Sequence, residues 1–297
     1  MNTLNLKHKP KIVFIVGCPR SGTTYLQKLL SSFENVYSGQ ESDLIDQYLG
    51  PVLRGWNTTL NQNPEARSAV GLSCYLKEVE FHTLFYNFAQ GIIDKMFENY
   101  SFDDKSIFIE KTPSHALYIN EINELFPEAK IINVIRNPKD TCLSLVNASK
   151  GWGKHWAPKN LDKASSMWLS HIKAVENAKN TKVLNVKYEE LVSSPFETIN
   201  DIFKYIKVSY TEKEIEYSIA KNSKNNSKKN QDNKLPIYGE AKIITGKDYL
   251  VEPKDFTDSK KVKWKNFSLR QKRAFYIKLK PELERLNYPT GILNYLK

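Results

Sequence analysis

A short, uninterrupted apolar run, Lys11–Val16 (KIVFIV), passes directly into Gly17-Cys18-Pro19-Arg20-Ser21-Gly22-Thr23-Thr24 and then into a stretch with Leu26, Leu29 and Leu30 on one helical side. A β-branched run with no polar alternation is what a strand buried on both faces requires, and that places it inside a parallel sheet. A glycine-bearing turn between such a strand and a helix directs backbone N–H groups and the positive helix end at one spot, where an anion is held. Gly17 and Gly22 have the spacing of a P-loop, but the consensus lysine after the second glycine is replaced by Thr23. Without that lysine the chemistry of an ATP γ-phosphate loses its main point charge. The cation stands inside the loop instead, as Arg20.

The rest of the chain repeats the alternation. Val36–Ser38, Ser106–Ile109 (SIFI), Lys130–Ile135 (KIINVI) and Val183–Val186 read as strands. Helices are expected over 64–99, with Phe81, Leu84, Phe85 and Phe88 at helix spacing, and over Ser114–Phe126, Pro138–Ser149, Lys163–Lys179 and Pro195–Ile206. Strands alternating with helices specify an α/β, three-layer P-loop-like fold, a central parallel sheet flanked by helices. Such sheets place their ligand beyond the carboxyl ends of the strands.

A chain of 297 residues suffices for a single domain spanning 1–297, with a core over 11–206. Residues 221–234 (KNSKNNSKKNQDNK) hold five Lys, five Asn and no apolar side chain, so a mobile loop is expected there. Residues 235–297 form a C-terminal region with Val262–Phe267 (VKWKNF) ahead of a last helix, about Ser268–Leu286. No apolar run approaches the roughly 20 residues a bilayer demands, and Met1–Pro10 has no stretch of signal-peptide length. Cys18, Cys74 and Cys142 are too few and too scattered for a disulfide framework or a metal knuckle, so a cytoplasmic setting is expected. The formal charge of +11 lies wholly in residues 203–297, which hold 22 Lys+Arg against 11 Asp+Glu; residues 1–202 hold 22 of each. A basic tail of this kind invites a nucleic-acid or membrane-surface role, yet the 221–234 run offers no aromatic or Arg on which bases would stack. No nucleic-acid partner is expected.

The string Cys18–Thr24 resembles the 5′-phosphosulfate loop of sulfotransferases, enzymes that use 3′-phosphoadenylyl sulfate (PAPS) and release adenosine 3′,5′-bisphosphate (PAP). The second signature of that family, a strand, then Arg, then Ser eight residues on, is matched by Ile131–Ile135, Arg136 and Ser144. A guanidinium fork and a helix hydroxyl suit a 3′-phosphate, which ATP lacks. Glu110-Lys111-Thr112-Pro113 resembles the family's KTP segment and Tyr188-Glu189-Glu190-Leu191 its YEDL-type segment. The resemblance implies that Arg20, Ser21, Gly22, Thr23 and Thr24 hold the phosphosulfate and that Arg136 and Ser144 hold the 3′-phosphate. It further implies Tyr188 near the adenine, Lys111 near the transferring group, and no metal.

The implied reaction moves a sulfuryl group to an acceptor hydroxyl of a glycan, a peptide tyrosine or a small alcohol, and needs a proton acceptor. Small-molecule members carry His two residues after the KTP lysine, where this chain has Pro113. Protein-tyrosine members use a Glu after the first helix, and Glu41 stands at that place. Glu41 is the first choice for the base and His115 the reserve. His82, His155 and His171 read as structural or exposed. Trp152 and Trp156, in Gly151–Trp156, read either as acceptor-side stacking surfaces or as loop anchors. Two other functions remain open on sequence: a P-loop-like nucleotide kinase without its lysine, and a non-enzymatic basic binder.

Overall fold

A computed structural model describes residues 10–62, 65, 69–98, 102–179, 181–225, 244–245 and 262–296. Five strands, β1 (Lys11–Gly17), β2 (Val36–Ser38), β3 (Ile107–Glu110), β4 (Lys130–Ile135) and β5 (Val183–Lys187), form a parallel sheet in the order β5-β4-β1-β3-β2. A sixth, two-residue strand, β6 (Ile244–Thr245), pairs antiparallel with β2 at the edge. β1 is central, in register with β3 from Lys11 opposite Ile107 and with β4 from Val13 opposite Lys130.

The two faces of β1 show why its run carries no polar alternation. Phe14 and Val16 face a cluster with Leu49, Leu53, Trp56, Phe81, Phe85 and Ile119. Val13 and Ile15, one residue out of step, face Leu26, Leu29, Leu30, Ile199, Ile202 and Phe203. Successive strand side chains point to opposite faces, so both sets must be apolar.

The helices are α1 (Thr23–Leu30), α2 (Gly50–Leu60), α3 (Glu78–Phe97), α4 (Ile119–Leu125), α5 (Pro138–Ala148), α6 (Leu161–Glu176), α7 (Tyr188–Ser193), α8 (Pro195–Ile206), α9 (Glu212–Asn225), α10 (Leu269–Arg285) and α11 (Leu293–Leu296). β4 and α8 lie where the sequence puts them. The expected helix over 64–99 is interrupted: Glu65 and Ala69 are helical, a 3₁₀ turn follows at Leu72–Cys74, and α3 begins at Glu78. Of its four aromatic and leucine marks, Phe81 and Phe85 are buried, whereas Leu84 and Phe88 face solvent. Ser114–Phe126 splits into a 3₁₀ segment, Pro113–Tyr118, and α4. Of the run 221–234, where a mobile loop is expected, residues 221–225 belong to α9; residues 226–234 lie outside the described residues. A third cluster joins Cys18, Ile135, Leu145 and Trp168 to Trp264, Phe275, Leu279 and Leu283 of the C-terminal segment.

The chain leaves β1 for β2 on one side and leaves β4 for β5 on the other. The crevice between the carboxyl ends of β1 and β4 is therefore the switch point of the sheet.

Candidate active site

The turn after β1 is shaped by its two glycines. Gly17 has φ 150, and a Cβ there would lie 2.5 Å from the Val134 carbonyl oxygen of β4. Gly22 precedes α1 in a left-handed conformation (φ 104, ψ 13) and gives no side-chain cap, so the first N–H groups of α1 have no capping side chain. Arg20 also takes a positive φ of 74, which turns its side chain outward. The Ser21 N–H donates to the Cys18 carbonyl at 3.0 Å. The Ser21 side chain is buried beneath the loop, and its Oγ has no hydrogen-bond partner. Burial pushes the Cys18 thiol well up, so this loop cysteine is an inert neutral group.

β4 delivers Arg136 to the opposite side of the crevice. Its guanidinium lies 4.5 Å from the Tyr188 ring centroid, and its carbonyl accepts from Trp168 Nε1 at 3.1 Å. Asn137 caps α5 through its side chain, accepting from the Lys139 N–H at 2.9 Å. Two turns into α5, Ser144 Oγ accepts from Arg20 Nε at 3.1 Å. The Arg20 guanidinium also sits 5.4 Å from the Trp152 ring. Trp152 and Trp156, both exposed, tilt against each other with centroids 5.1 Å apart.

β3 delivers the third element. Lys111 is buried and makes an ion pair with Glu41, whose own side chain is half exposed. The segment carrying Glu41 is tied to the end of β3. Ser42 Oγ donates to Glu110 Oε1 at 2.6 Å, and the Ser42 and Asp43 N–H groups donate to Thr112 Oγ1 at 3.2 and 3.4 Å. His115 is fully buried, and its Nε2 lies 3.1 Å from the Ile45 N–H in the first turn of the π-helical segment Leu44–Leu49. Its Nδ1 lies 2.9 Å from Glu110 Oε2 and its Nε2 3.2 Å from Asp46 Oδ1. Burial favours the neutral ring, but the Glu110 charge and the Asp46 contact outweigh it and raise the pKa to about 9.

One cleft of about 790 Å³ gathers Arg20, Gly22, Thr23, Thr24, Glu41, Arg136, Ser144 and Tyr188, eight of the eleven residues singled out from sequence. That volume suits a nucleotide-sized ligand. Lys111 reaches it through Glu41, whereas Ser21 and His115 are buried. The cleft wall also includes Asp43, Asp46, Tyr118, Met167, Trp152, Trp156 and His171. Among these, Met167 escapes sequence reasoning, and His171, expected to be structural or exposed, stands on the cleft wall; only their i, i+4 spacing on one face of α6 links the two. The His171 Nδ1 lies 2.7 Å from the Met167 carbonyl. A carbonyl only accepts, so Nδ1 carries the proton and Nε2 is the bare nitrogen. Burial lowers the pKa of this ring and keeps it neutral. Among the described residues, no group of His, Cys, Asp and Glu meets to hold a metal ion, and no helix is long and apolar enough to cross a membrane.

A family model described as "Sulfotransferase family" matches residues 10–212. A Caenorhabditis briggsae protein named "Putative protein-tyrosine sulfotransferase" is 26% identical over 214 residues, covering 70% of this chain and 69% of that protein. An uncharacterised Aquifex aeolicus protein is 22% identical over 217 residues, 69% of this chain; the chain spans only 26% of that relative's length. In fold, the chain is similar to mouse sulfotransferase SULT7A1 complexed with PAP, at TM-score 0.52 and 16% identity, covering 93% of this chain and 85% of that one.

Proposed function

The chain belongs to the sulfotransferase family, and from that premise we propose that it transfers a sulfuryl group from PAPS to the hydroxyl of a ring-bearing acceptor, with Glu41 as the proton acceptor. The observation that carries this reading is the Glu41–Lys111 pair on the rim of the cleft that also holds Arg20, Thr23, Thr24 and Arg136. A carboxylate for the proton and cations for developing negative charge thus stand within one crevice.

The residues present fit the cofactor. The loop offers uncapped helix N–H groups and a buried hydroxyl without a partner, and Gly22 lets the Tyr188 ring approach where any Cβ would collide with it at 2.2 Å. PAPS supplies an electrophilic sulfuryl group on a phosphate leaving group. Arg20 and the loop N–H groups hold the anionic end, Arg136 and Ser144 the 3′-phosphate, and Tyr188 the base. Lys111 and Arg20 stabilise the charge that develops on transfer. Glu41, which lines the cleft, accepts the acceptor's proton in preference to His115, which is fully buried between two carboxylates. The paired faces of Trp152 and Trp156 on the cleft wall favour an acceptor with a sugar or aromatic ring.

The absence of a lysine after Gly22 and the presence of an Arg–Ser pair suited to a 3′-phosphate disfavour the kinase reading. Calorimetric titration with PAP, beside ADP, tests the choice. Tight PAP binding, weak ADP binding and a loss of about 1.5–3 kcal/mol in Arg136→Ala, the worth of hydrogen bonds to a charged group, are expected. Equal affinity for the two nucleotides, or none for either, would overturn the proposal.

A further inference from the structure

Two segments that are far apart in sequence bring Glu41 and Lys111 together, and neither side chain is held in place by its own element. Lys111 follows β3; Glu41 stands in the connection between β2 and the π-helical turn Leu44–Leu49. A chain of buried polar groups joins the two segments. Glu110 Oε1 takes the Ser42 hydroxyl at 2.6 Å and the Thr112 hydroxyl at 2.9 Å, and Thr112 Oγ1 takes the Ser42 and Asp43 N–H groups. The other oxygen of Glu110 faces His115 Nδ1, and the far side of that ring faces Asp46, on the π-helical turn itself. His115 thus adds a second span from the Lys111 segment to the Glu41 segment, deeper than the Ser42 links.

We infer that His115 is a positioning residue, a buried imidazolium that clamps the connection carrying Glu41 onto the end of β3 and so fixes the proton acceptor against Lys111. The inference rests on the reading of Glu41 as that acceptor. A cation at this place compensates the charges of Glu110 and Asp46, which flank the ring at 2.9 and 3.2 Å. Two buried carboxylates without one would each carry an uncompensated desolvation cost. Every charged group that faces the ring from the packed elements is acidic: Glu110 from β3 and Asp46 from the π-helical turn, with Asp43 acting from farther off. From β1, the Phe14 ring lies tilted by 60° to it, with centroids 6.1 Å apart. The Ile45 N–H lies 3.1 Å from Nε2, a bond that only the neutral ring accepts; the two carboxylates outweigh that single neutral donor. Removing the imidazolium leaves Glu110 and Asp46 repelling each other across the joint, against which the Ser42 and Asp43 bonds to Glu110 and Thr112 alone must hold the Glu41 connection in register.

Carbodiimide chemistry reads the geometry without any acceptor substrate, because it converts a carboxylate and an amine in contact into an amide. Treated with a water-soluble carbodiimide and digested, the wild-type protein is expected to yield a cross-linked peptide pair joining Glu41 to Lys111, quantified by mass spectrometry. His115→Gln is expected to remain folded and to lose that cross-link at a temperature well below its Tm. Ile202→Ala, in the cluster on the other face of the sheet, is destabilised without touching the joint and is expected to keep the cross-link; a merely structural role for His115 predicts the same retention in His115→Gln. If His115→Gln does not fold, Glu110→Gln, which preserves shape and removes the charge facing Nδ1, takes its place with the same expected loss. Absence of the cross-link in wild type, wild-type yield in a folded His115→Gln or Glu110→Gln, or equal loss in Ile202→Ala would each overturn the inference. PAP titration of the same samples separates the two claims: a wild type that cross-links but binds no PAP overturns the sulfotransferase reading and leaves the clamp standing.

Discussion

Gly22→Ala probes the closest approach in the cleft. At Gly22 the backbone has φ 104, and the new Cβ would lie 2.2 Å from Tyr188 Cδ2 and 2.7 Å from Cε2. The first cost is conformational, about 1–2 kcal/mol for a left-handed alanine. The second arises because the Tyr188 ring must move, and the Arg136 guanidinium stacked on it at 4.5 Å loses about 0.5–2 kcal/mol of cation–π contact. Together these come to roughly 1.5–4 kcal/mol. For a chain of 297 residues, an unfolding entropy of about 2.1 cal/mol/K per residue makes each kcal/mol worth about 1.6 °C. Calorimetry should therefore show Tm lower by about 2–6 °C, and PAP affinity should fall about tenfold or more, since about 1.4 kcal/mol suffices for that. Tyr188→Ala supplies the internal test. Because it removes the struck ring, its effect in the Gly22→Ala background should be smaller than in wild type, with a coupling of about 0.5–3 kcal/mol. An unchanged Tm in Gly22→Ala, or effects additive to within about 0.5 kcal/mol, would refute the reasoning. Gly17→Ala should be worse, because the obstacle at 2.5 Å is a carbonyl of β4 and cannot rotate away.

Glu41→Gln should lower the rate of PAPS-dependent transfer about 10²- to 10⁴-fold, the usual worth of a general base, with calorimetric PAP affinity unchanged. Trp152→Ala should raise the KM for a ring-bearing acceptor roughly 2- to 10-fold, matching about 0.5–1.5 kcal/mol of ring stacking, and leave PAP binding intact. His115 has a pKa raised to about 9 from an unfolded value of about 6.5. The folded protein then binds the extra proton between those values, and the stabilisation it contributes is fully present below about pH 6.5 and lost as pH rises through about 9. The melting temperature should decline over that window, and His115→Gln should flatten the decline.

Much of the sheet was legible because a doubly buried strand leaves a strong trace. β4 stands at the expected residues, and the loop of Cys18–Thr24, Arg136 and Ser144 all meet at one crevice, since parallel topology sends every strand end to the same edge. The region between β2 and α3 was not legible. A π-helical turn at Leu44–Leu49 running straight into α2 has no distinctive spacing, and only tertiary packing of Leu49, Leu53 and Trp56 against the sheet defines it. Asp46 was missed with that turn. His115 was visible as a residue near the KTP segment, but its burial depends on Asp46 and Glu110 arriving from two other elements. Sequence spacing could not separate the half-exposed carboxylate of Glu41 from the fully buried imidazole of His115.

The basic character of the C-terminal third also reads differently once folded. Residues 262–297 hold nine Lys and Arg against two Asp and Glu, and so supply most of the net charge. Several of these cations are already engaged within the fold. Lys272 Nζ donates to the Leu296 carbonyl, Lys278 reaches Asp162 and Ser166, and Arg285 pairs with Glu176. The segment packs through Trp264, Phe275 and Leu283 against the same cluster that contains Cys18 of the glycine loop and Ile135 next to Arg136. Positive charge concentrated beside an anion-holding crevice raises the local concentration of an anionic ligand and speeds its arrival. A stripe that binds a nucleic acid needs its cations free and interleaved with stacking surfaces. Here Trp264 is instead buried, with its Nε1 donated to the Tyr295 carbonyl at 2.9 Å and Lys139 lying over its ring. The charge therefore serves the proposed reaction with a doubly phosphorylated nucleotide better than it serves a polymer.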